Sequence, residues 1–231
     1  MELTMPKFIS FEEAARRIPA GAAIMVGGFM GCGSPHGLLA ELARLGTGGL
    51  TLICNDGACP FGPDGSEYYG VAKLIHNRQV KKLIATHVGL NPEVAAQMNE
   101  GSLIVELIPQ GSLAEMIRAG GCGLGGVLTP TGLGTIMQDA PHVHSIVEID
   151  GVQYLLERPI RADFALLGGH SIDRAGNIWY KGTTRNFNLP MAMAADVVIA
   201  EAEHIVDIGA IAPENVMTSG ILVDYVVGGL E

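Results

Sequence analysis

The sequence predicts an α/β protein with a single open, mostly parallel sheet that is covered by helices and carries an antiparallel hairpin excursion. Continuous apolar runs alternate with segments of helical periodicity, which is the pattern of strands buried in a parallel sheet. Later in the chain, Asp150-Gly151 separates two such runs and is a strong hairpin signal. Glycines lie at the ends of the apolar runs and mark no linker, so residues 1–231 are expected to form one domain.

The first half of the chain shows the alternation of strands and helices most clearly. Ser10 and Glu13 have the spacing of a capping box, which predicts a short helix after Ser10. Ser34 and Pro35 are typical of a helix start, and leucines follow them at helical spacing. Further strands are predicted at 22–26, 50–54, 80–86 and 103–108, and further helices after Asn91-Pro92 and after Ser112, which has capping-box spacing to Glu115.

The second half departs from this alternation. The segments 146–149 and 152–156 flank Asp150-Gly151 and form the predicted antiparallel excursion. A second hairpin turn is expected at 174–177. The remaining predictions are buried strands at 164–167 and 197–200 and a helix at 189–195 with Pro190 in its first turn.

Composition excludes several classes of partner. Acidic residues outnumber basic residues by 24 to 14, which gives a net charge of -10, and no cluster of Lys and Arg offers a surface for nucleic acid or an anionic membrane. The longest apolar stretch, residues 20–33, is shorter than the roughly 20 residues that span a bilayer. Four cysteines in no C-x-x-C pair, with no signal peptide at the first residues, predict a cytoplasmic protein.

The stretch VGGFMGCGSPHGLL, residues 26–39, places four glycines between a predicted strand and a predicted helix. It lacks the lysine of a phosphate-binding Walker loop, and it does not match the dinucleotide fingerprint G-x-G-x-x-G. Free backbone N–H groups and the helix dipole attract anions at such a place. Without a lysine, a carboxylate, a thioester or a pyrophosphate held by backbone groups is favoured, and a purely structural turn is the alternative.

Polar residues follow two other predicted strands. Gln110, with Gly111 after it, lies where the strand at 103–108 ends, and Asn55 follows the strand at 50–54. Open α/β sheets bind ligands outside the carboxyl ends of their strands, so these residues are candidates for substrate contact. Packing accounts for them equally well.

Other reactive residue types form no motif. The seven histidines show no metal-ligand spacing, so structural or solvated roles are predicted for them and no metal site is expected. No serine lies in a G-x-S-x-G elbow. Four glutamates in apolar contexts are candidate nucleophiles or bases, although paired or solvated carboxylates are the more common outcome: Glu106, Glu148, Glu201 and Glu203.

Several stretches together resemble the alpha, or A-type, chain of the 3-oxoacid (family I) CoA-transferases. The family signature is an acidic residue or Asn, Gly, two variable positions, three apolar residues and then G-G-F-x-x-x-G-x-P. The stretch from Gly21 to Pro35, GAAIMVGGFMGCGSP, departs from it only at the preceding Ala20. The resemblance extends through PQGSLAEMIRAGGCG, TPTGLGT, LLERPIRADFAL, RNFNLPMAMAAD, EAEHIVDIG and APENVMTSGILVD, in the order of the family.

This resemblance implies a CoA-transferase/NagB-like fold and half of an enzyme. In the family the nucleophile is a glutamate in a Ser-Glu-Asn-Gly motif of the beta subunit; no such motif occurs here, so no catalytic residue is expected in this chain. The implied mechanism is ping-pong, with CoA and acyl-CoA as substrates and no permanently bound cofactor or metal. The implied assembly is a heterotetramer, α2β2, acting on acyl-CoA and short carboxylic acids or 3-oxoacids such as acetoacetate.

The resemblance also suggests site residues. The glycine-rich segment is expected to contact CoA, and three polar positions are expected to contact the acid substrate. The alpha-type chain of a 3-oxoadipate CoA-transferase and a non-catalytic ligand-binding protein on the same fold remain alternatives. The expected contacts are Gly27, Gly28, Phe29, Met30, Gly31, Cys32 and Gly33 for CoA, and Gln110, Gly111 and Asn55 for the acid.

Overall fold

The computed structural model describes residues 5–63 and 65–229, and within them helices and strands alternate along most of the chain. Short 3-10 turns lie at Ile136–Asp139, Gly182–Arg185, Pro213–Asn215 and Gly220–Leu222. The strands are β1 (Lys7–Phe8), β2 (Ala23–Val26), β3 (Leu50–Cys54), β4 (Val80–Ala85), β5 (Ile104–Leu107), β6 (Val127–Thr129), β7 (Val143–Ile149), β8 (Val152–Glu157), β9 (Ala162–Asp173), β10 (Ile178–Trp179), β11 (Ala195–Val206) and β12 (Tyr225–Gly228). The helices are α1 (Phe11–Arg16), α2 (His36–Leu45), α3 (Ala72–His76), α4 (Pro92–Asn99), α5 (Gln110–Cys122) and α6 (Asn188–Ala194).

Among the described residues, the main sheet has nine strands, eight of them parallel in the order β1-β12-β11-β9-β2-β3-β4-β5, and β10 pairs antiparallel with β9. A separate antiparallel sheet of three strands has the order β6-β8-β7. The predicted fold class, a mostly parallel sheet with an antiparallel excursion, is confirmed. The strand order runs outward in both directions from β2 and β9, which makes the carboxyl ends of these two strands the switch point of the sheet.

Both faces of the main sheet are covered by apolar clusters. Alternate residues of one strand belong to opposite clusters: Ile24 and Leu52 pack on one face, and Met25 and Ile53 on the other. All four are buried. This explains why the central strands appear in the sequence as continuous apolar runs, since both faces are covered and only Ala23 and Thr51 on β2 and β3 are partly exposed. No helix in the described part of the chain is long and apolar enough to cross a membrane.

Helix starts were predicted with mixed success. The Glu13 N–H donates to Ser10 Oγ at 3.1 Å, and Asn91 Oδ1 accepts from the Glu93 N–H at 3.1 Å, so both of these caps are confirmed. The cap predicted at Ser34 is wrong, because its hydroxyl donates instead to the carbonyl oxygen of Gly27 at 2.8 Å.

The capping box predicted at Ser112 is also wrong, because helix α5 begins earlier, at Gln110. The carbonyl oxygen of Pro109 accepts the Leu113 N–H at 2.9 Å, which closes the first turn of the helix around Ser112. Ser112 is therefore a buried residue inside the helix.

Two strands are longer than predicted. β9 and β11 pair with each other from Ala162↔Ala195 to Asp173↔Val206, well beyond the apolar runs that predicted them. Polar residues such as His170 and Glu203 lie on these extensions, and backbone pairing between the two strands continues in spite of them.

Candidate functional site

The glycine-rich loop, residues 27–33, connects β2 to α2 at the switch point of the sheet. Most of its N–H groups donate within the chain. Gly28 N donates to Asn186 Oδ1 at 3.0 Å and Met30 N donates to Asp56 Oδ2 at 2.7 Å, while Phe29 and Cys32 exchange two backbone hydrogen bonds. In the described parts of the chain, the N–H groups of Gly31 and Gly33 have no acceptor. The loop is thus held in place by hydrogen bonds within itself and to two other segments of the chain.

Two asparagines at the start of α6 hold the loop: Asn186 lies two residues before the helix, and Asn188 is its first residue. The amide of Asn186 accepts from Gly28 N and donates to the Cys32 carbonyl oxygen at 2.9 Å. Asn188 is fully buried and donates to the Gly33 carbonyl oxygen at 3.1 Å. These residues lie in the RNFNLP stretch, and their role was missed by sequence reasoning. The available signal was a pair of asparagines at the start of a helix.

The N-terminus of α2 is occupied by a side chain of the protein. The Glu201 carboxylate, on β11, accepts the N–H groups of Gly37 at 2.9 Å and Leu38 at 2.8 Å. Burial raises the pKa of Glu201, and the two N–H donors act in the opposite direction. The expectation that this helix N-terminus offers free N–H groups to an anionic ligand is therefore wrong, because Glu201 already binds them. Glu201 is a paired structural carboxylate.

A chain of hydrogen bonds joins the loops that follow β5, β3 and β2. Gln110 Nε2 donates to Asn55 Oδ1 at 2.6 Å, and Asn55 Nδ2 donates to Asp56 Oδ2 at 2.8 Å. That same Asp56 oxygen accepts from Met30 N. Gln110 is exposed, whereas Asn55 is buried at 2% exposure. Asn55 therefore lies where it can position Gln110, and the second N–H of the Gln110 amide remains for a ligand.

A cavity of about 370 Å³ lies in front of these groups. Its walls are mostly apolar, and Phe29, which lines it, is 44% exposed. The cavity brings together three of the predicted site residues, one from the glycine-rich loop and two from the start of α5. It is lined by Phe29, Gln110, Gly111, Ala114, Asn186, Phe187 and Pro190.

The other predicted residues lie outside the cavity lining. Gly27 and Gly28 are buried under the loop, and Cys32 is exposed with its sulfur 3.7 Å from Thr183 Oγ1. Tyr69 packs against the loop, and its ring stacks on His36 with 4.2 Å between ring centroids. A Cβ at residue 31 would lie 2.2 Å from the Tyr69 ring, so this contact requires Gly31.

Comparison with known proteins identifies the family of this chain. A profile of the family described as "Coenzyme A transferase" matches residues 8–229. The chain belongs to the coenzyme A transferase family. The resemblance read from the glycine-rich signature is thereby confirmed, and CoA is a substrate in this family.

Two curated members of the coenzyme A transferase family match almost end to end. The acetoacetyl-CoA:acetate/butyrate CoA transferase alpha subunit of Clostridium acetobutylicum is 48% identical over 221 residues, covering 96% of this chain and 97% of that protein. The alpha subunit of the acetate CoA-transferase of Escherichia coli is 42% identical, covering 96% of both chains. Among solved structures, an acyl-CoA transferase from Escherichia coli O157:H7, in a thioester complex with CoA, matches with a TM-score of 0.84 and 22% identity, covering 97% of this chain and 47% of that one. This last match confirms the coenzyme A transferase fold.

Proposed function

We propose that this chain is the alpha subunit of a heteromeric CoA-transferase. The enzyme moves CoA between a short-chain acyl-CoA, such as acetyl-, butyryl- or succinyl-CoA, and a short carboxylic acid or 3-oxoacid such as acetoacetate. The proposed assembly is an α2β2 heterotetramer in the cytoplasm. The alpha-subunit names of two relatives that match this chain end to end support the need for a beta subunit.

One observation carries the proposal. The cavity at the switch point contains an amide and an apolar wall, but no carboxylate lines it among the described residues. A nucleophile must then come from outside, and a glutamate of the partner subunit would supply it. Asp56, the nearby acid, already binds Met30 N, Asn55 Nδ2 and Ala58 N.

The proposed reaction consists of two half-reactions, one that forms a glutamyl-CoA thioester and one that transfers CoA from it to the acceptor acid. The partner carboxylate attacks the thioester carbonyl carbon of acyl-CoA, and the CoA thiolate leaves with the electron pair of the broken C–S bond. The thiolate then attacks the glutamyl carbonyl of the resulting anhydride and releases the first acid as its carboxylate. The acceptor acid takes CoA from the glutamyl thioester by the reverse steps, so the free energy of the thioester is retained.

The contribution of this chain is to orient the substrate and stabilise charge. Negative charge develops on the carbonyl oxygen at each attack, and fixed N–H donors lower the energy of that state. The free N–H of Gln110 and the N–H groups of Gly31 and Gly33 are the proposed donors. The segment Gly27, Gly28, Phe29, Met30, Gly31, Cys32 and Gly33 remains the proposed CoA contact, and Gln110 and Gly111 the proposed acid contact with Asn55 behind them.

The cavity also favours one class of acid. A dicarboxylate such as 3-oxoadipate would place a second negative charge in the pocket, which needs a cation nearby. No Arg or Lys lines the pocket in the part of the chain that the structure describes. Short acids with one carboxylate are therefore preferred over a 3-oxoadipate substrate, and among the proposed acyl-CoA substrates acetyl- and butyryl-CoA are preferred over succinyl-CoA, which carries a free carboxylate.

The decisive experiment is expression with and without a CoA-transferase beta subunit. The complex should exchange CoA between acetoacetyl-CoA and acetate, and the isolated chain should not. In the complex, Gln110→Ala should lower kcat by about 100-fold to 1000-fold, the range for loss of one donor to a developing oxyanion. Gln153→Ala, at an exposed position on β8, is the matched control and should leave kcat unchanged. Exchange catalysed by the isolated chain would refute the proposal.

A further inference from the structure

We propose that His170, Glu203 and His204 form a binding site for a divalent transition-metal ion of the zinc class. None of the three lines the cavity described above. His170 lies on β9, and the other two lie on β11. The site comes in addition to the proposed transferase function and does not depend on it.

Strand register brings His170 and Glu203 together, and the His204 ring lies close to the His170 ring. β9 and β11 run parallel, with Gly169 beside Ala202 and Ser171 beside His204, so His170 lies beside Glu203. Nδ1 of His170 is 2.5 Å from Oε2 of Glu203. The His170 and His204 rings are 5.0 Å apart between centroids and nearly perpendicular.

The donor set fits zinc. One ligand atom from each residue can be chosen so that all three lie within 4.8 Å of one another. Ligands of a tetrahedral zinc ion with bonds near 2.0–2.1 Å lie about 3.4 Å apart, so closure requires shifts on the order of 1 Å. Glu203 and His204 are exposed and can rotate that far without repacking the core. Two imidazoles and a carboxylate are also the protein ligands of several zinc sites that keep one position open.

The surroundings of the three residues support a metal-binding site rather than a chance proximity of three side chains. The His170 side chain is only 17% exposed, and the ring of Trp179 meets it edge-on with 5.2 Å between centroids. Trp179 is itself held beside Ser171 by the pairing of β10 with β9. Glu203 and His204 border a cavity of about 630 Å³, which gives an ion access to the site. His170 is thus held in position before an ion binds, and the exposed Glu203 and His204 side chains can move to complete the coordination.

A simple ion pair between a histidine and a glutamate is the competing interpretation. The chain contains a second histidine–glutamate pair for comparison, in which His76 Nδ1 lies 3.0 Å from Glu93 Oε1. No third ligand joins that pair within the described residues. His76→Ala is therefore a matched control, since it removes a histidine that is paired with a glutamate but belongs to no three-ligand cluster.

The test is calorimetric titration of the full-length chain with Zn²⁺. The wild type should bind one ion per chain at this site. His204→Ala and Glu203→Gln should each weaken that binding by about tenfold or more, because loss even of groups that only support a metal ligand costs 10-fold to 100-fold. His76→Ala should bind as the wild type does.

Circular dichroism of each variant would verify that the fold is intact, which is expected because both substituted side chains are exposed. Absence of saturable one-to-one binding by the wild type would overturn the proposal. So would wild-type affinity in either His204→Ala or Glu203→Gln. Neither result would affect the proposed transferase function, which is measured by CoA exchange in the complex.

Discussion

The Asn188 side chain occupies the space that a side chain at residue 27 would need. Its amide donates to the carbonyl oxygens of Gly33 at 3.1 Å and Thr184 at 2.8 Å, and its oxygen accepts the Gly168 N–H at 3.3 Å. A Cβ at residue 27 would lie 1.8 Å from that oxygen. Gly27 does not have the left-handed backbone that favours glycine, so contact with Asn188 is the reason for glycine at this position.

Gly27→Ala should therefore destabilise the fold through this one contact. We expect a loss of about 1–3 kcal/mol in the free energy of unfolding, the usual cost of overpacking a core position. In an Asn188→Ala background the same substitution should cost about 1 kcal/mol less, because the clashing oxygen is gone. Urea unfolding of the two single variants and the double variant measures this coupling.

Gly125→Ala is the control for that cycle, since a Cβ at residue 125 would meet nothing within 4 Å. Its free energy of unfolding should stay close to that of the wild type. Equal costs of Gly27→Ala in both backgrounds would show that the clash with Asn188 does not explain the glycine.

At the scale of elements, the small antiparallel sheet is attached to the main sheet by a cluster of polar side chains, in which His142 is buried and Lys82 is partly exposed. His142 Nδ1, just before β7, lies 3.1 Å from Glu106 Oε1 on β5, and Lys82 Nζ on β4 lies 2.7 Å from Glu106 Oε2. The hydrogen bond from His142, with further contributions from Lys82, lowers the pKa of Glu106 from 4.5 to about 2. Glu106 is thus a paired carboxylate and not a free base.

The lowered pKa of Glu106 predicts that the free energy of unfolding decreases as the pH falls. A carboxyl group with a lowered pKa stabilises the native state above its unfolded pKa, and that contribution is lost as the pH falls to the native pKa. The shift is worth at most about 3 kcal/mol. Wild type should therefore exceed Glu106→Gln in the free energy of unfolding at pH 6, and the difference should shrink between pH 4.5 and about 2.

Urea unfolding at a series of pH values would measure the effect. Glu157, whose pKa is raised by burial, is present in both proteins and cancels from the difference. Glu100→Gln removes a carboxylate from an exposed pair with Arg78 and is the control; its curve should run parallel to that of the wild type, because exposed pairs contribute little. A difference between wild type and Glu106→Gln that does not change with pH would contradict the prediction.

Elements were predicted well where the signal is local. The apolar runs located all the central strands, and Ser10 and Asn91 marked helix starts, because burial on both faces and capping depend on neighbouring residues. The helix start at His36 was misjudged because Glu201, distant in sequence, binds the N–H groups that Ser34 was expected to cap. Short strands such as β1 were missed because two residues carry no periodicity.

At the scale of the whole molecule, one sheet joins both apolar clusters. Ile24 and Met25 are neighbours on β2, yet they belong to clusters on opposite faces. Neither cluster can separate from the sheet without exposing the strands that the other one covers. We therefore propose that residues 1–231 form a single cooperative domain.

Urea unfolding followed by two probes tests this proposal. Trp179, the only tryptophan, reports on β10, and far-ultraviolet circular dichroism reports on the whole backbone. The two transitions should coincide, as expected for an all-or-none process. A tryptophan transition at clearly lower urea would show that the region of β9 and β10 unfolds separately.

Some contacts of the candidate site could be predicted from the sequence, and others could not. The rule that ligands bind at the carboxyl ends of parallel strands was enough to place Phe29 and Gln110 near each other, because each follows a strand of the same sheet. The contacts of Asn186 with the glycine-rich loop and the meeting of His170 with Glu203 were not predictable in this way. They join residues 158 and 33 positions apart, respectively, and no local spacing encodes them.

The sequence by itself determined the fold class, the family and the glycine-rich loop, because hydrophobic period, turn residues and a contiguous signature are properties of neighbouring residues. Tertiary structure alone decided which groups meet. The order of the strands placed β9 beside β2, and the register of β9 with β11 placed His170 beside Glu203. Both depend on how the strands as a whole bury their two faces, so the composition of the site follows from packing between distant segments.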